Sequence, residues 1–473
     1  MKQNQPQSSD APSAGRLTPG ERRAAGALAC IFGLRMLGLF LLLPVFAVHA
    51  DRYHGYTAVL AGVALGAYGL TQAMLQIPFG ILSDRIGRKP VILAGLLLFA
   101  AGSAVAALSD SIYGVIVGRA LQGAGAIAAA VLALTADLTR EQHRTKAMAV
   151  IGASIGLAFA VGFVAAPLIT ARVGLAGLFW LTALLALLGA AVLMLYVPTP
   201  AASRLHRDAE PVPGQILNIL RDAQLLRLDF GIMALHLMLT ASFVVVPLVL
   251  RDAGGLPPAQ HWKVYVLVLG VSVPVMAPFV VIADRYRLTK PIFVGAVAAL
   301  ALAQGGLFAW HASLFETVLF LLVFFIGFNI LEATLPSLIS TLAPPAQKGT
   351  ALGVYSTSQF LGAFLGGAAG GWLHGRFGPE AVFAFCALLA AVWGGIAVTM
   401  RRPRALASRL VRLGAVHADQ ADELARGLTA ISGVTEAVVV PEDGIAYLKV
   451  DRSRLDEQAL RAFEARAFSE AKA

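Results

Sequence analysis

Charge is scarce in this chain. Only 14% of its 473 residues are Asp, Glu, Lys or Arg, while 58% are hydrophobic and the mean hydropathy is +0.75. Soluble globular domains run at about 25% charged and about 45–50% apolar, so a single water-soluble fold could not hide this much apolar surface. Cysteine is nearly absent too. Cys30 and Cys386 both lie inside apolar runs, with neither metal-ligand spacing nor the loop placement that an extracytoplasmic disulfide needs. No glycine loop of the Walker type occurs, which argues against ATP-driven work, and no nucleophile, metal or nucleotide constellation points to an enzyme. The expectation is a protein that uses no cofactor or metal. The net charge of +10 does not point to nucleic acid, because the bases sit in short segments between apolar runs rather than in one basic face.

What is abundant is long apolar sequence. Twelve runs of membrane-spanning length occur at 24–48, 57–82, 90–108, 111–135, 146–169, 174–197, 228–250, 263–283, 290–310, 314–342, 350–374 and 378–400. Residues 1–20, rich in Gln, Ser and Pro, read as a disordered tail, and the first run reads as an uncleaved helix rather than a signal peptide. A polar loop at 201–227 divides the runs into a first bundle over 21–200 and a second over 228–404. Short-loop Lys and Arg are strongly one-sided: Arg22, Arg23, Arg85, Arg88, Lys89, Arg140, Arg144 and Lys146 fall on one side in the first half, and only Arg52 and Arg172 on the other. By the positive-inside rule both termini and the 201–227 loop are cytoplasmic, in a multi-pass protein of the inner membrane.

The halves repeat one another. Ser83-Asp84-Arg85 follows the second run of the first half and Ala283-Asp284-Arg285 the second run of the other, each followed by further bases and a proline. Transporters made of two related bundles hold their substrate near the midplane, where the bundles meet. After Arg404 the composition turns soluble. A strand at 409–414, a helix at 419–432, strands at 434–440 and 445–451 around a turn at Pro441–Gly444, and a helix at 456–468 give a ferredoxin-like order over 409–468. No cysteine pair lies in it, so no metal is expected there.

The segment Gly80-Ile-Leu-Ser-Asp84-Arg85-Ile-Gly87-Arg88-Lys89-Pro90 resembles the signature loop of the major facilitator superfamily, and Gly118-Arg119-Ala-Leu-Gln122-Gly123 resembles a motif of its proton-driven members. Within that superfamily the chain is similar to the YajR-type transporters through Leu34-Arg35-Met36-Leu37-Gly38, Phe328-Asn329-Ile-Leu-Glu332-Ala-Thr-Leu-Pro336-Ser337, Gly353-Val-Tyr355-Ser-Thr-Ser-Gln359-Phe-Leu-Gly362 and the appended soluble domain. The resemblance implies an all-α membrane fold of twelve helices in two bundles, with a small α+β domain. It also implies a monomer that exports a small organic compound or drug in exchange for protons. It further implies that Asp84 sits at the start of the eleventh helix, near Gly349–Gly353, where a helix dipole favours a carboxylate. Arg88 is implied to pair with Asp137, and these contacts, with Gly80, Arg85 and Gly87, to shut the cytoplasmic gate. Asp284 and Arg285 would be the second-half counterpart. One departure is Gly162-Phe-Val-Ala-Ala166-Pro167, where antiporters carry a Gly-Pro-x-x-Gly-Gly element; import of a metabolite therefore stays open beside export. A membrane sensor with the soluble domain as output is the reading from another class.

The short list of ionisable groups well inside the runs is Arg35, Arg119, His236 and Glu332, a charge at a helix centre costing about 2.5–3.5 kcal/mol on insertion scales. Glu332, read as the one acid deep in a run, is the expected proton carrier, loading and releasing its proton as it moves between an apolar setting and an arginine's field; the alternative is a hydrogen-bonded structural acid. Arg35 and Arg119 keep their charge and can only supply a field. His236 titrates in the right range, although a lone helix histidine is often just hydrogen-bonded. Gln122, Asn329, Phe328 and Gln359 are candidate cavity residues. Phe159, Phe163 and Phe325 could line an apolar cavity or simply pack.

Overall fold

Lipid offers no water to backbone N–H and C=O groups, so each crossing has to satisfy them internally, as a helix does. The computed structural model describes residues 17–199, 213–344, 347–401, 407–414, 416–441, 444–451 and 454–470. In its first half α1 (Pro19–Phe40), α2 (Ala58–Ile86), α3 (Arg88–Leu108), α4 (Ile112–Ala124), α5 (Ala128–Leu138) and α6 (Glu141–Tyr196) follow one another. The second half holds α7 (Ile216–Arg221), α8 (Ala223–Asp252), α9 (His261–Arg285), α10 (Thr289–Ala309), α11 (Leu314–Leu342), α12 (Lys348–Phe377) and α13 (Pro379–Val398).

Several of these bounds differ from the sequence reading for physical reasons. The first helix starts at Pro19, inside the tail expected to be disordered, because Thr18 and Glu21 form a capping box and Pro19 suits a first helical position; residues 1–16 lie outside the described ones. The run at 111–135 is two helices, broken at Gly125–Ile127. The runs at 146–169 and 174–197 are two helices, as read, joined within α6 at Gly174, whose φ of 67° and ψ of −176° are not helical. Each is long enough at about 1.5 Å per residue to cross a core about 30 Å thick. Ten helical stretches are long and apolar enough to span a membrane among the described residues, with α6 counted once. The glycine-rich α12, 30 residues long, supplies a further crossing, which makes twelve. Large apolar side chains such as Leu108, Leu157, Leu184, Leu195, Leu302 and Phe315 stay exposed on the outer surface, the pattern of a lipid-facing belt rather than of a soluble surface.

An even number of crossings brings the start of α1, the connection between the halves and the soluble domain to one end of the body, the domain end; the other is the far end. At the far end the halves are pressed together. A Cβ at Gly62 would run into the carbonyl of Gly367, one at Gly66 would lie 2.8 Å from the carbonyl of Phe364, and one at Gly371 would lie 2.5 Å from the carbonyl of Ala58, so only glycine lets α2 and α12 pack backbone to backbone. Tyr265 in α9 donates to the Pro44 carbonyl at 3.4 Å. The bonds, ring pairs and glycine approaches described between the halves all lie in this far part.

The soluble domain is β1 (Ala407–Arg412), α14 (Ala421–Thr429), β2 (Val434–Val440), β3 (Ile445–Val450) and α15 (Glu457–Glu470). Its antiparallel sheet has the order β1-β3-β2, with Val411, Leu413, Leu428, Leu448, Val450 and Leu460 in the core. In the turn expected at Pro441–Gly444, residues 442 and 443 lie outside the described ones. Arg409 holds the exposed Glu457 carboxyl below its usual range through a hydrogen bond. Lys449 of β3 donates to the Leu342 carbonyl at 3.1 Å, a cation on the last turn of α11 where the helix dipole favours it.

Gly367→Leu should weaken the far-end seam by about 1–3 kcal/mol of overpacking and shift the population toward far-end opening. A membrane-impermeant maleimide should then label a cysteine placed at Tyr56 faster than in the otherwise unaltered protein. Unchanged labelling together with an unchanged melting temperature would refute the seam.

Candidate functional site

The loop between α2 and α3 is a one-residue hinge. Gly87, at φ 98° and ψ 149°, both ends α2 and precedes the first residue of α3, a conformation that a side chain would strain. It turns Arg88 inward. The guanidinium lies 3.5 Å from the Asp137 carboxylate at the end of α5, with both side chains 1% exposed, and it also bonds Asp84 and the Ser83 hydroxyl. Ser83 in turn donates to the Gly80 carbonyl at 2.7 Å, while Arg85 points to the surface. Lys89 reaches the Val197 carbonyl at 2.7 Å. Asp84 bonds Arg88 alone among the described residues, and not the start of α12, so the contact implied across the halves is not made in this conformation. In the second half Asp284 and Arg285 are exposed, and among the described residues Arg285 lies over the Tyr286 ring, at 5.8 Å.

Deeper in the first half, α1, α2 and α4 place a fully satisfied arginine around a tyrosine. Arg119 donates to Gln122 Oε1 at 2.7 Å and to the carbonyls of Ala64 and Leu65, and its guanidinium sits 5.2 Å from the Tyr68 ring. Gln122 passes the chain on to the Ser103 hydroxyl at 2.7 Å. Arg35, 0% exposed, donates to Gln72 and to the Gly125 carbonyl and lies 5.6 Å from both Tyr68 and Phe99, while its Nε and Nη1 have no hydrogen-bond partner. Neither arginine pairs with Glu332, so the arginine field expected to act on that acid is not built in this conformation.

Glu332 faces a histidine instead. His236 Nε2 of α8 lies 3.9 Å from Glu332 Oε2, and the Glu332 side chain retains 38% of its surface, although Oε2 itself is enclosed and unbonded. His236 Nδ1 donates to the Ile232 carbonyl at 3.3 Å, which leaves Nε2 to accept from Gln359 of α12 at 2.8 Å. Asn329, one turn from Glu332, donates to the Ser272 hydroxyl of α9 at 3.0 Å. Toward the far end an aromatic plug closes the space. Phe159 and Phe163 of α6 meet Phe325 and Phe328 of α11 at ring separations of 6.0–6.1 Å, and Phe163 also meets Phe243 and Tyr265. Phe328 belongs to this plug and at the same time lies 5.9 Å from the His236 ring. The acid and the histidine thus stand directly beneath a seal that both halves contribute.

The sequence reading missed Asp229. With the seventh run started at 228 it passed as an edge residue, but α8 begins at Ala223, and Asp229 is 4% exposed with neither carboxylate oxygen bonded. Asp222 carried the signal: its side chain caps Gln224 and Leu225, an N-terminal mark that moves the helix start outward by a turn.

Comparison with known proteins agrees with this architecture. The profile described as Major Facilitator Superfamily matches residues 28–250 and again 228–441, one match per half. The "Inner membrane transport protein YajR" of Escherichia coli (strain K12) is 47% identical over 451 residues, covering 94% of this chain and 99% of that protein. The "Multidrug resistance protein MdtH" of Yersinia enterocolitica is 28% identical over 72% of this chain and 84% of its own length. Among solved structures, a bacterial homolog of the human lysosomal transporter Spinster, in an inward-facing and occupied conformation, superposes with a TM-score of 0.68 at 12% identity, over 82% of this chain and 98% of that one.

Removing one partner of a buried pair leaves the other charge stranded, at about 3–5 kcal/mol. Arg88→Ala should therefore lower stability far more than Asp84→Asn, whose partly exposed pair contributes about 1 kcal/mol or less, and Asp137→Asn added to Arg88→Ala should restore much of the loss. Thermal unfolding of the three variants in detergent is the check; equal losses for Arg88→Ala and Asp84→Asn would contradict it.

Proposed function

The chain belongs to the major facilitator superfamily, in its YajR-type branch, and is a multi-pass membrane transporter and not an enzyme; from that premise we propose that it exports a small organic compound from the cytoplasm in exchange for protons, with Glu332 as the proton carrier. The observation that carries the proposal is the placement of Glu332. It is an acid in the middle of α11 with one oxygen enclosed and unbonded, a histidine 3.9 Å away, and a side chain that keeps 38% of its surface. An acid so held gains or loses a proton with little rearrangement and changes the charge of the gap as it does so.

The one-sided distribution of Lys and Arg makes the domain end cytoplasmic in an inner-membrane protein, so this conformation is open toward the cytoplasm and sealed at the far side by the plug. His236 is the group that answers the acid. While its Nε2 accepts from Gln359 the ring is neutral; a proton arriving at Nε2 breaks that bond and offers an imidazolium to the ionised Glu332 carboxylate. Cargo and proton then compete for one cavity, which is the simplest form of exchange. Alternating access needs the far-end seam to part while Asp84 meets the start of α12. The name of the relative MdtH supports a drug-like cargo. Import is the second reading, favoured by Ala166 and Pro167 where antiporters carry paired glycines.

Glu332→Gln fixes the carrier in a neutral form. Proteoliposomes holding the variant should still exchange labelled cargo with unlabelled cargo but fail to accumulate it against an imposed pH gradient, and the sign of the gradient that drives the wild type gives the direction. Accumulation that survives intact in the Gln variant would remove Glu332 from the coupling role.

A further inference from the structure

The packing of α2 on α12 has a register that can be carried past the last contact described. A Cβ at Gly62 would meet the Gly367 carbonyl, one at Gly66 the Phe364 carbonyl and one at Gly69 the Phe360 carbonyl. Each step toward the cytoplasmic end on α2 is therefore matched by a step back on α12. Continued for about four more turns, this antiparallel pairing brings Ser83 and Asp84, in the last turn of α2, opposite the first turn of α12 at Lys348. The residues of α12 that face α2 are Phe360, Phe364, Gly367 and Gly371, and at about 3.6 residues per turn the same stripe reaches Gly353 and Gly349, with Thr350 on its edge. Small residues there leave room for α2 to come as close as it does at the far end.

That landing place is occupied. The Thr350 hydroxyl donates to Gln215 Oε1 at 3.2 Å, and Thr350 is 0% exposed. Gln215 ends a short 3₁₀ turn, Pro213–Gln215, which leads into α7 in the connection between the halves. The connection is fastened just beyond: Ile219 of α7 is buried in the core that α8 and α12 share, and Asp222 caps Gln224 and Leu225 at the start of α8. Gln215 is thus held on α12 by the second half itself rather than hanging from a free loop.

We propose that Gln215 is a latch on the cytoplasmic gate: α2 and α12 close at this end only when the Gln215–Thr350 bond gives way and the connection withdraws from the α2 side of α12. The inference rests on the reading of this conformation as open toward the cytoplasm, and not on the proton chemistry of Glu332. The two arrangements exclude one another because the Asp84 turn and Gln215 need the same turn of α12. Release uncovers one hydroxyl and one amide oxygen, both of which water at the cytoplasmic surface can satisfy, so the latch is worth no more than one neutral hydrogen bond. A bias of that size sets the proportion of two states and forbids neither. The segment joining the halves thereby acts on their movement as well as tethering them.

The test needs no cargo. Spin labels on Leu195→Cys and Tyr286→Cys, exposed positions at the cytoplasmic ends of α6 and α9, report the separation of the halves in the full-length protein in liposomes, with Cys30→Ser and Cys386→Ala as background. Pulsed electron resonance should find a long separation in the otherwise unaltered protein and a minority of short ones. Gln215→Ala and Thr350→Val, which remove the acceptor and the donor, should each raise the ratio of short to long separations by about two- to tenfold. Gln215→Glu and Thr350→Ser keep the bond and should not raise it. Asn218→Ala, on the exposed side of the same segment, should leave it unchanged. An unmoved ratio in Gln215→Ala, or an equal rise in Asn218→Ala or Gln215→Glu, overturns the latch and leaves the open reading intact. Short separations alone in the unaltered protein overturn the open reading, and the latch with it.

Discussion

Within a bilayer a polar atom has no solvent to fall back on, and that constraint orders everything else in this molecule. It forces each crossing into a helix and leaves side chains as the only polar groups in question. A polar side chain inside the body must find a protein partner, face the gap between the halves, or remain unbonded at a cost of order several kcal/mol if charged. Which of the three applies separates the structural polar residues from the working ones.

The two halves divide along that line. In the first half Arg119, Gln122 and Ser103 satisfy one another or backbone carbonyls around Tyr68, and Arg88 is closed in with Asp137. These groups hold α2, α3, α4 and α5 in fixed register, and they have nothing left to exchange. The second half keeps Glu332, Tyr355 and Asp229 unbonded and ties His236 only to the amide of Gln359 and a carbonyl. On the proposed reading the first half provides the frame, although Arg35 keeps two unbonded nitrogens there, and the second half changes charge.

Much of this was legible in the sequence. Apolar run length and the placement of bases predicted the crossings and their grouping, and Asp84-Arg85 with Asp284-Arg285 marked the repeat that the two profile matches also follow. Alternation and turn residues located all three strands of the soluble domain to within two residues. What escaped depends on geometry that no run length encodes. Nothing local in the run at 111–135 shows that its helix breaks at Gly125–Ile127. Phe159, Phe163, Phe325 and Phe328 are ordinary apolar residues in sequence; only the meeting of α6 with α11 makes them a seal. Glu332 was found because it interrupts a run, whereas Asp229 was lost because it stands near a run's edge, where an acid usually means water.

The seal and the acid share a residue, and this bears on how a proton could drive movement. Phe328 stacks on Phe159 of the other half and touches the His236 ring, and it sits one turn before Glu332 on the same face of α11. Parting the halves at the far end must pull Phe159 away from Phe328. On the proposed reading, a new charge on His236 or Glu332 lies against that ring contact and needs no pathway of intermediate residues to act on it. The glycine seam of α2 and α12 works in the opposite sense: its backbone contacts are made only with the far end shut, and they cost nothing in charge. The far end is held shut by dispersion between backbones and rings, and on the proposed reading a change of charge beneath them is what shifts that balance.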